Sequence, residues 1–96
     1  MSVPVIFRPA ADQDVDATFA WYERQQAGLG DQFLQSLGTT VEYIRANPLL
    51  YPVVRGSIRR AVLRRFPYLL FDLVEPSRIV VIACLHARRD PERWPS

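Results

Sequence analysis

The sequence predicts an α+β domain in two layers, with the order β-α-α-β-β-β. An N-terminal strand leads into an antiparallel helical hairpin, and a three-stranded antiparallel meander completes a four-stranded sheet before a short C-terminal turn or helix. Three observations predict this. Val3, Val5 and Phe7 alternate with Pro4, Ile6 and Arg8, the period of a strand with one buried face. Two stretches with apolar residues at helical spacing are joined only by Gly28-Leu29-Gly30, so the helices must fold back on each other. From residue 58 onward, runs rich in apolar and β-branched residues are separated by Pro67 and by Glu75-Pro76-Ser77-Arg78, a hairpin turn.

Pro4 places the first strand near an edge or at the strand's start. Pro9 opens the first helix, with Asp12, Asp14 and Asp16 near its positive dipole end and Ala11, Val15, Phe19 and Tyr22 as its inner stripe. Trp21 falls off that stripe and either flanks the core or faces a partner. Gly28 is a natural C-terminal cap. Asp31 starts the second helix, whose stripe is Phe33, Leu34, Leu37, Val41 and Ile44 and whose end is Asn47-Pro48. A proline-bounded connector, 47–52, and a turn at Gly56 lead into the meander. Its strands are expected at 58–66, 68–75 and 79–86. In the middle one, Leu69, Phe71 and Leu73 share an apolar face with Asp72 on the other. The last is apolar on both faces, hence central. Asp90-Pro91 then begins the C-terminal turn that carries Trp94.

Ninety-six residues have room for one core, so residues 1–96 read as a single domain, burying roughly 60 to 65 per cent of its unfolded surface. With 49% hydrophobic and 23% charged residues, the chain is of a folding composition. Charge is unevenly placed. Residues 1–54 hold three arginines against six acids, a net of −3, and residues 55–96 hold nine against four, a net of +5. Every Lys/Arg position is arginine, which reflects codon bias, a use for planar bidentate contacts that lysine cannot make, or both. A single cysteine, Cys84, suits a reducing compartment. The chain lacks the order of a signal peptide, and its longest apolar run, 79–85, is too short for a membrane span, so a cytoplasmic protein without a membrane partner is expected.

One His and one Cys cannot build a tetrahedral metal centre, and no cofactor motif is present: the Gly28-Leu29-Gly30 pair lacks the strand-before, helix-after context of a phosphate loop. Ser36, Ser57 and Ser77 lack a nucleophile elbow, which argues against a serine triad with His86. The remaining chemistry is basic and aromatic. Arg59-Arg60 and Arg64-Arg65 bracket Ala61-Val62-Leu63, and residues 55–71 contain five arginines and no acid. Alternation along a strand sends one arginine of each pair to each face, so one sheet face is expected to gather guanidinium groups near Tyr68, His86, Arg88, Arg89 and Trp94. Cations interleaved with rings grip phosphodiesters and stack bases, and they equally form hot spots against protein partners.

Taken in order, Pro9-Ala10-Ala11-x-x-Asp14, Gly28-Leu29-Gly30-x-x-Phe33, Asn47-Pro48-x-x-x-Pro52, Arg60-x-x-Leu63-x-x-Phe66-Pro67-Tyr68 and His86-x-Arg88-Arg89-Asp90-Pro91-x-x-Trp94 resemble the RelE/ParE superfamily of small bacterial toxins over nearly the whole chain. The resemblance implies the toxin of a type II toxin-antitoxin pair, often described as a plasmid stabilisation protein. It further implies a cognate antitoxin that wraps and silences the toxin in a hetero-oligomer. Two branches are implied: ribosome-dependent mRNA ribonucleases, like RelE, and DNA gyrase inhibitors, like ParE. For a ribonuclease, Arg60, His86 and Arg88 are the catalytic candidates. However, Trp94 stands where the RelE pattern has an acid-base tyrosine, and indole does not exchange a proton at neutral pH. RelE's sheet lysines are absent too. The ParE-like reading is therefore favoured, with Arg60, Arg65, Tyr68, His86, Arg88, Arg89 and Trp94 as target-binding residues. A module that has lost toxicity and only binds antitoxin is the remaining alternative.

Overall fold

The computed structural model describes residues 3–89 and 91–95. Their order is β1 (Val5–Phe7), α1 (Pro9–Gln25), α2 (Leu29–Ala46), β2 (Val53–Arg55), β3 (Ile58–Val62), β4 (Tyr68–Val74), β5 (Ile79–His86) and a single 3-10 turn, Pro91–Arg93. Asp90, expected to start that turn, lies outside the described residues. The strands form one sheet in the order β1-β5-β4-β3-β2. The meander pairs antiparallel as expected, and β1 joins β5 in parallel, Ile6 opposite Val80. The sheet is thus five-stranded and mixed, where four strands were expected. The additional strand, β2, is a bulged edge strand paired to β3 through a tight turn at Gly56, whose φ of +53° suits glycine.

Helix α1 starts at Pro9, whose missing N–H costs nothing in a first turn. The carboxylate of Glu23, near its end, accepts the backbone N–H groups of Gly28 (2.9 Å) and Gly30 (2.8 Å). One acid therefore satisfies two of the free donors at the start of α2 and locks the hairpin. A Cβ on Gly30 would lie 2.8 Å from the Phe19 ring and 2.7 Å from Glu23 Cγ, so only glycine allows the two helices to meet this closely. Helix α2 begins at Leu29, two residues before the expected Asp31, because these backbone donors find their acceptor on α1. Leu34 does not join its inner stripe. It is 39% exposed, and buried Thr40 bonds back to the Ser36 carbonyl among Phe33, Leu37 and Ile44.

Both helices pack on one sheet face, burying Ala11, Phe33, Ile44, Ala61, Leu70 and Val81. The opposite face is not bare. Leu69, Phe71 and Leu85 form a second, smaller core there, covered by Ile58, Ile82, Ala87 and Trp94. Strand β5 serves both cores through a bulge: Phe71 pairs with Ala83 and Asp72 with Val81, leaving Ile82 unmatched. The extra residue inverts the alternation, so Ile79, Val81 and Cys84 all face the helices.

Strand β3 stops at Val62, not at Phe66. Pro67 cannot donate to a ladder, Leu63 N–H closes on Tyr68 O, and Arg65 takes a φ of +72°, which turns the chain out of the sheet. Strand β4 ends at Val74, one residue short of the expected Glu75.

Candidate functional site

The arginine pairs do not converge on one face. Across the β3–β4 ladder, Arg59 lies opposite Asp72 and Arg60 opposite Phe71. Phe71 belongs to the outer core, so Arg60 projects outward and Arg59 toward the helices. Arg59 Nη1 donates to the carbonyls of Tyr51 (2.6 Å) and Leu49 (3.3 Å), tying the connector to the sheet. Arg64 and Arg65 follow the strand's end and border a cavity beside Gln32, Gln35, Ser36 and Thr39 of α2. Arg65 thus borders α2 and lines neither the cavity that holds Tyr68 and Arg89 nor the one that holds Arg60 and Trp94.

Two groupings of candidates remain. On the outer face, Arg60 and Trp94 line one cavity of about 530 Å³ with Val54, Arg55, Phe71, Pro91 and Pro95. The Trp94 ring is tilted by 50° against Phe71, centroids 6.0 Å apart. Arg60 Nε and Trp94 Nε1 are both buried, and neither has a hydrogen-bond acceptor among the described residues. Each such orphan costs about 1–3 kcal/mol, a deficit that an incoming acceptor would remove.

On the helix side, Tyr68 pairs across the ladder with His86, rings in edge contact at 5.2 Å. Arg89 Nη2 donates to Tyr68 Oη at 2.9 Å, and the Arg89 guanidinium carbon lies 5.0 Å from the centre of the Trp21 ring. This is a cation–π contact. His86 Nδ1 accepts the backbone N–H groups of Arg88 (3.0 Å) and Arg89 (3.1 Å), which fixes the turn leaving β5 and puts the ring proton of the neutral form on Nε2. Asp14 completes the group: Oδ1 accepts from Arg93 Nη2 at 2.8 Å and Oδ2 from Cys84 N–H at 3.0 Å. The Arg88 residue is exposed at the rim.

Electrostatics separate inert groups from responsive ones. Burial, and then the charge of Asp14, push the Cys84 thiol up to about 12, so it stays protonated and unreactive at neutral pH. Burial pushes the Asp72 carboxyl up to about 6 against the opposing pull of Arg59, and both of its oxygens are buried without a hydrogen bond among the described residues.

Sequence reasoning passed over Asp14, Trp21, Arg55 and Arg93 as members of these groups. Only Trp21 carried a signal, its place off the stripe of α1. Asp14 reads as an ordinary dipole acid because its partners lie 70 and 79 residues away.

No curated protein matches the sequence. Among solved structures, one described as "Chromosomal ParDE TA system from P. aeruginosa" superposes with a TM-score of 0.79 at 15% identity, covering 91% of this chain and 98% of that one; at such identity the likeness is one of fold. The family described as "ParE toxin of type II toxin-antitoxin system, parDE" matches residues 5–91, all of both layers and both candidate groupings up to Pro91. The chain accordingly belongs to the ParE toxin family of type II toxin-antitoxin systems, within the RelE/ParE superfamily.

Proposed function

We propose that this toxin arrests growth in the cytoplasm by binding DNA gyrase, and that a cognate antitoxin made beside it silences it in a hetero-oligomer. The observation that carries a binding rather than a cutting role is the division of the ribonuclease candidates. Arg60 projects from the outer sheet face, whereas His86 packs on Tyr68 at the helix face. General acid-base cleavage of RNA needs the proton-transfer group and the charge-stabilising cation around one phosphate. Their places on opposite sheet faces speak against a shared phosphate, and Arg88, the candidate cation next to His86, engages that ring through its backbone N–H on Nδ1. Nor does Trp94 supply the proton, since its indole Nε1–H is a donor only.

Binding suits the same residues. Arg60 and Trp94 share one cavity, and Arg89 contacts Trp21 and Tyr68; arginines and large rings are the side chains that dominate protein interfaces.

Purified toxin titrated into a gyrase supercoiling reaction is expected to inhibit it, saturating near one toxin per target site. Trp94→Ala and Arg89→Ala are each expected to raise the half-inhibitory concentration by roughly tenfold or more. Unchanged supercoiling over a broad toxin range removes gyrase as the target. Harmless accumulation on expression without antitoxin would instead mark a module that has lost toxicity.

A further inference from the structure

We infer that the outer cavity between β2, β3, β4 and the C-terminal turn is a receptor for one acidic side chain, glutamate or aspartate, presented by a partner protein beside an apolar residue. The inference rests on reading this face as a protein-binding surface, but not on gyrase being the protein.

The lining sets the chemistry. Arg60 and Trp94 both line this cavity, and each carries a buried N–H, Nε and Nε1, that lacks an acceptor among the described residues; a seated group meets those donors only as the two side chains turn toward it. The group that fits them must accept and must not donate. An ionised carboxylate does this, with two oxygens for two donors, whereas a carboxamide brings N–H groups of its own. Charge agrees: Arg55 is a second cation in the lining, and no acid stands among the described lining residues. Arginine also matches a planar carboxylate in a way that lysine does not.

The remaining walls, Val54, Phe71, Pro91 and Pro95, are apolar. They would cover an aliphatic neighbour of the acid and keep water from the ion pair, which strengthens it. The same walls argue against a nucleic-acid strand. A phosphodiester chain is held by a run of cations along its track. Here the other arginines of the basic segment point elsewhere: Arg59 is tied to the connector carbonyls, and Arg64 and Arg65 flank α2.

The test uses the whole ¹⁵N-labelled protein and the indole N–H resonances of its two tryptophans, Trp21 serving as internal control. The probe is the peptide acetyl-Leu-Glu-Leu-amide, compared with its Gln counterpart, inorganic phosphate and a short oligoribonucleotide. The Glu peptide is expected to move the Trp94 indole resonance saturably, with the Gln peptide about tenfold weaker. Arg60→Gln and Arg60→Lys, checked for native shift dispersion, are each expected to weaken the response by a similar factor. The inference is overturned by equal responses to the Glu and Gln peptides, by no response of Trp94, or by tighter binding of phosphate or oligoribonucleotide than of the Glu peptide. Because the Glu and Gln peptides are compared on the unaltered protein, a variant that fails to fold does not remove the test. A failed supercoiling assay with a positive peptide titration would discard gyrase and keep the receptor.

Discussion

Phe33→Ala is expected to lower the free energy of unfolding by about 4 kcal/mol, the usual range for emptying a phenylalanine site in a core. Phe33 is fully buried and sits within 5.7 Å, centroid to centroid, of the rings of Tyr22, Phe66 and Tyr68. These belong to α1, to the bend after β3 and to β4, so one side chain joins both helices to the meander. No neighbouring side chain is large enough to refill the space without leaving this cluster. A domain of this size has roughly 5–15 kcal/mol in total, so the loss takes a large share of it. Thermal unfolding should show a midpoint lowered by roughly 15–30 °C. The functional readout follows through Tyr68. With its packing partner gone, the Tyr68–Arg89 bond loosens, and inhibition should weaken even at temperatures where the variant remains folded. A midpoint within a few degrees of the parent would mean that the helices are held to the sheet by something other than this ring cluster.

Asp72→Asn is expected to act in the opposite direction at neutral pH, raising stability by about 1–2 kcal/mol. The folded carboxyl titrates at about 6, above its ordinary value of 3.8, because burial penalises the charge. Between those two values the native protein holds a proton that the unfolded chain has released, so the free energy of unfolding falls as pH rises through the window. Above about pH 6 the penalty is complete, at roughly 3 kcal/mol. Asparagine removes the charge but leaves an unmet polar group, which is why the gain is smaller than the penalty. At pH 4, where the parent is itself protonated in the fold and most of the penalty is gone, the unmet amide should leave the variant about 0.5–1.5 kcal/mol less stable than the parent. Urea unfolding at pH 4 and pH 7.5, followed by tryptophan fluorescence, measures both points. If Asp72→Asn is destabilised more at pH 7.5 than at pH 4, the carboxylate is paired with Arg59 in solution and the burial argument fails.

Much of the fold was legible in the sequence because its signals are local. Pro9, the helically spaced apolar positions of α1 and α2, and the hairpin at 75–78 each act within a few residues, and the elements they define appear where expected. Gly28, expected to cap the end of α1, instead caps the start of α2 with a φ of +89°, and Gln26 ends α1, because the Gly28 N–H is taken by Glu23. Strand β2 was not legible. Its three residues are all exposed, so no apolar alternation marks them, and Pro52 just before them suggests a connector. The bulge in β5 was hidden for the opposite reason: Ile82 and Ala83 are both apolar, and a phase change inside a uniformly apolar run leaves no trace. The expected single arginine patch failed through one boundary. Had β3 continued to Phe66, Arg64 and Arg65 would have alternated with the sheet, but the left-handed Arg65 ends the strand first.

The candidate site was legible in residue type and illegible in grouping. Arginines, Tyr68, His86 and Trp94 stand out in the sequence, yet which arginine meets which ring depends on contacts between distant segments. Trp21 meets Arg89 across 68 positions, and Arg60 and Trp94 share a cavity only because the C-terminal turn crosses the outer face. The resulting separation of Arg60 from His86 underlies the preference for binding over cleavage.

That preference meets its most direct test in translating ribosomes programmed with an end-labelled message and given purified toxin at concentrations that block supercoiling. The account predicts full-length message with no site-specific cut. A codon-specific cut that disappears in Arg60→Ala, with the variant folded, would contradict it and return the toxin to the ribonuclease branch.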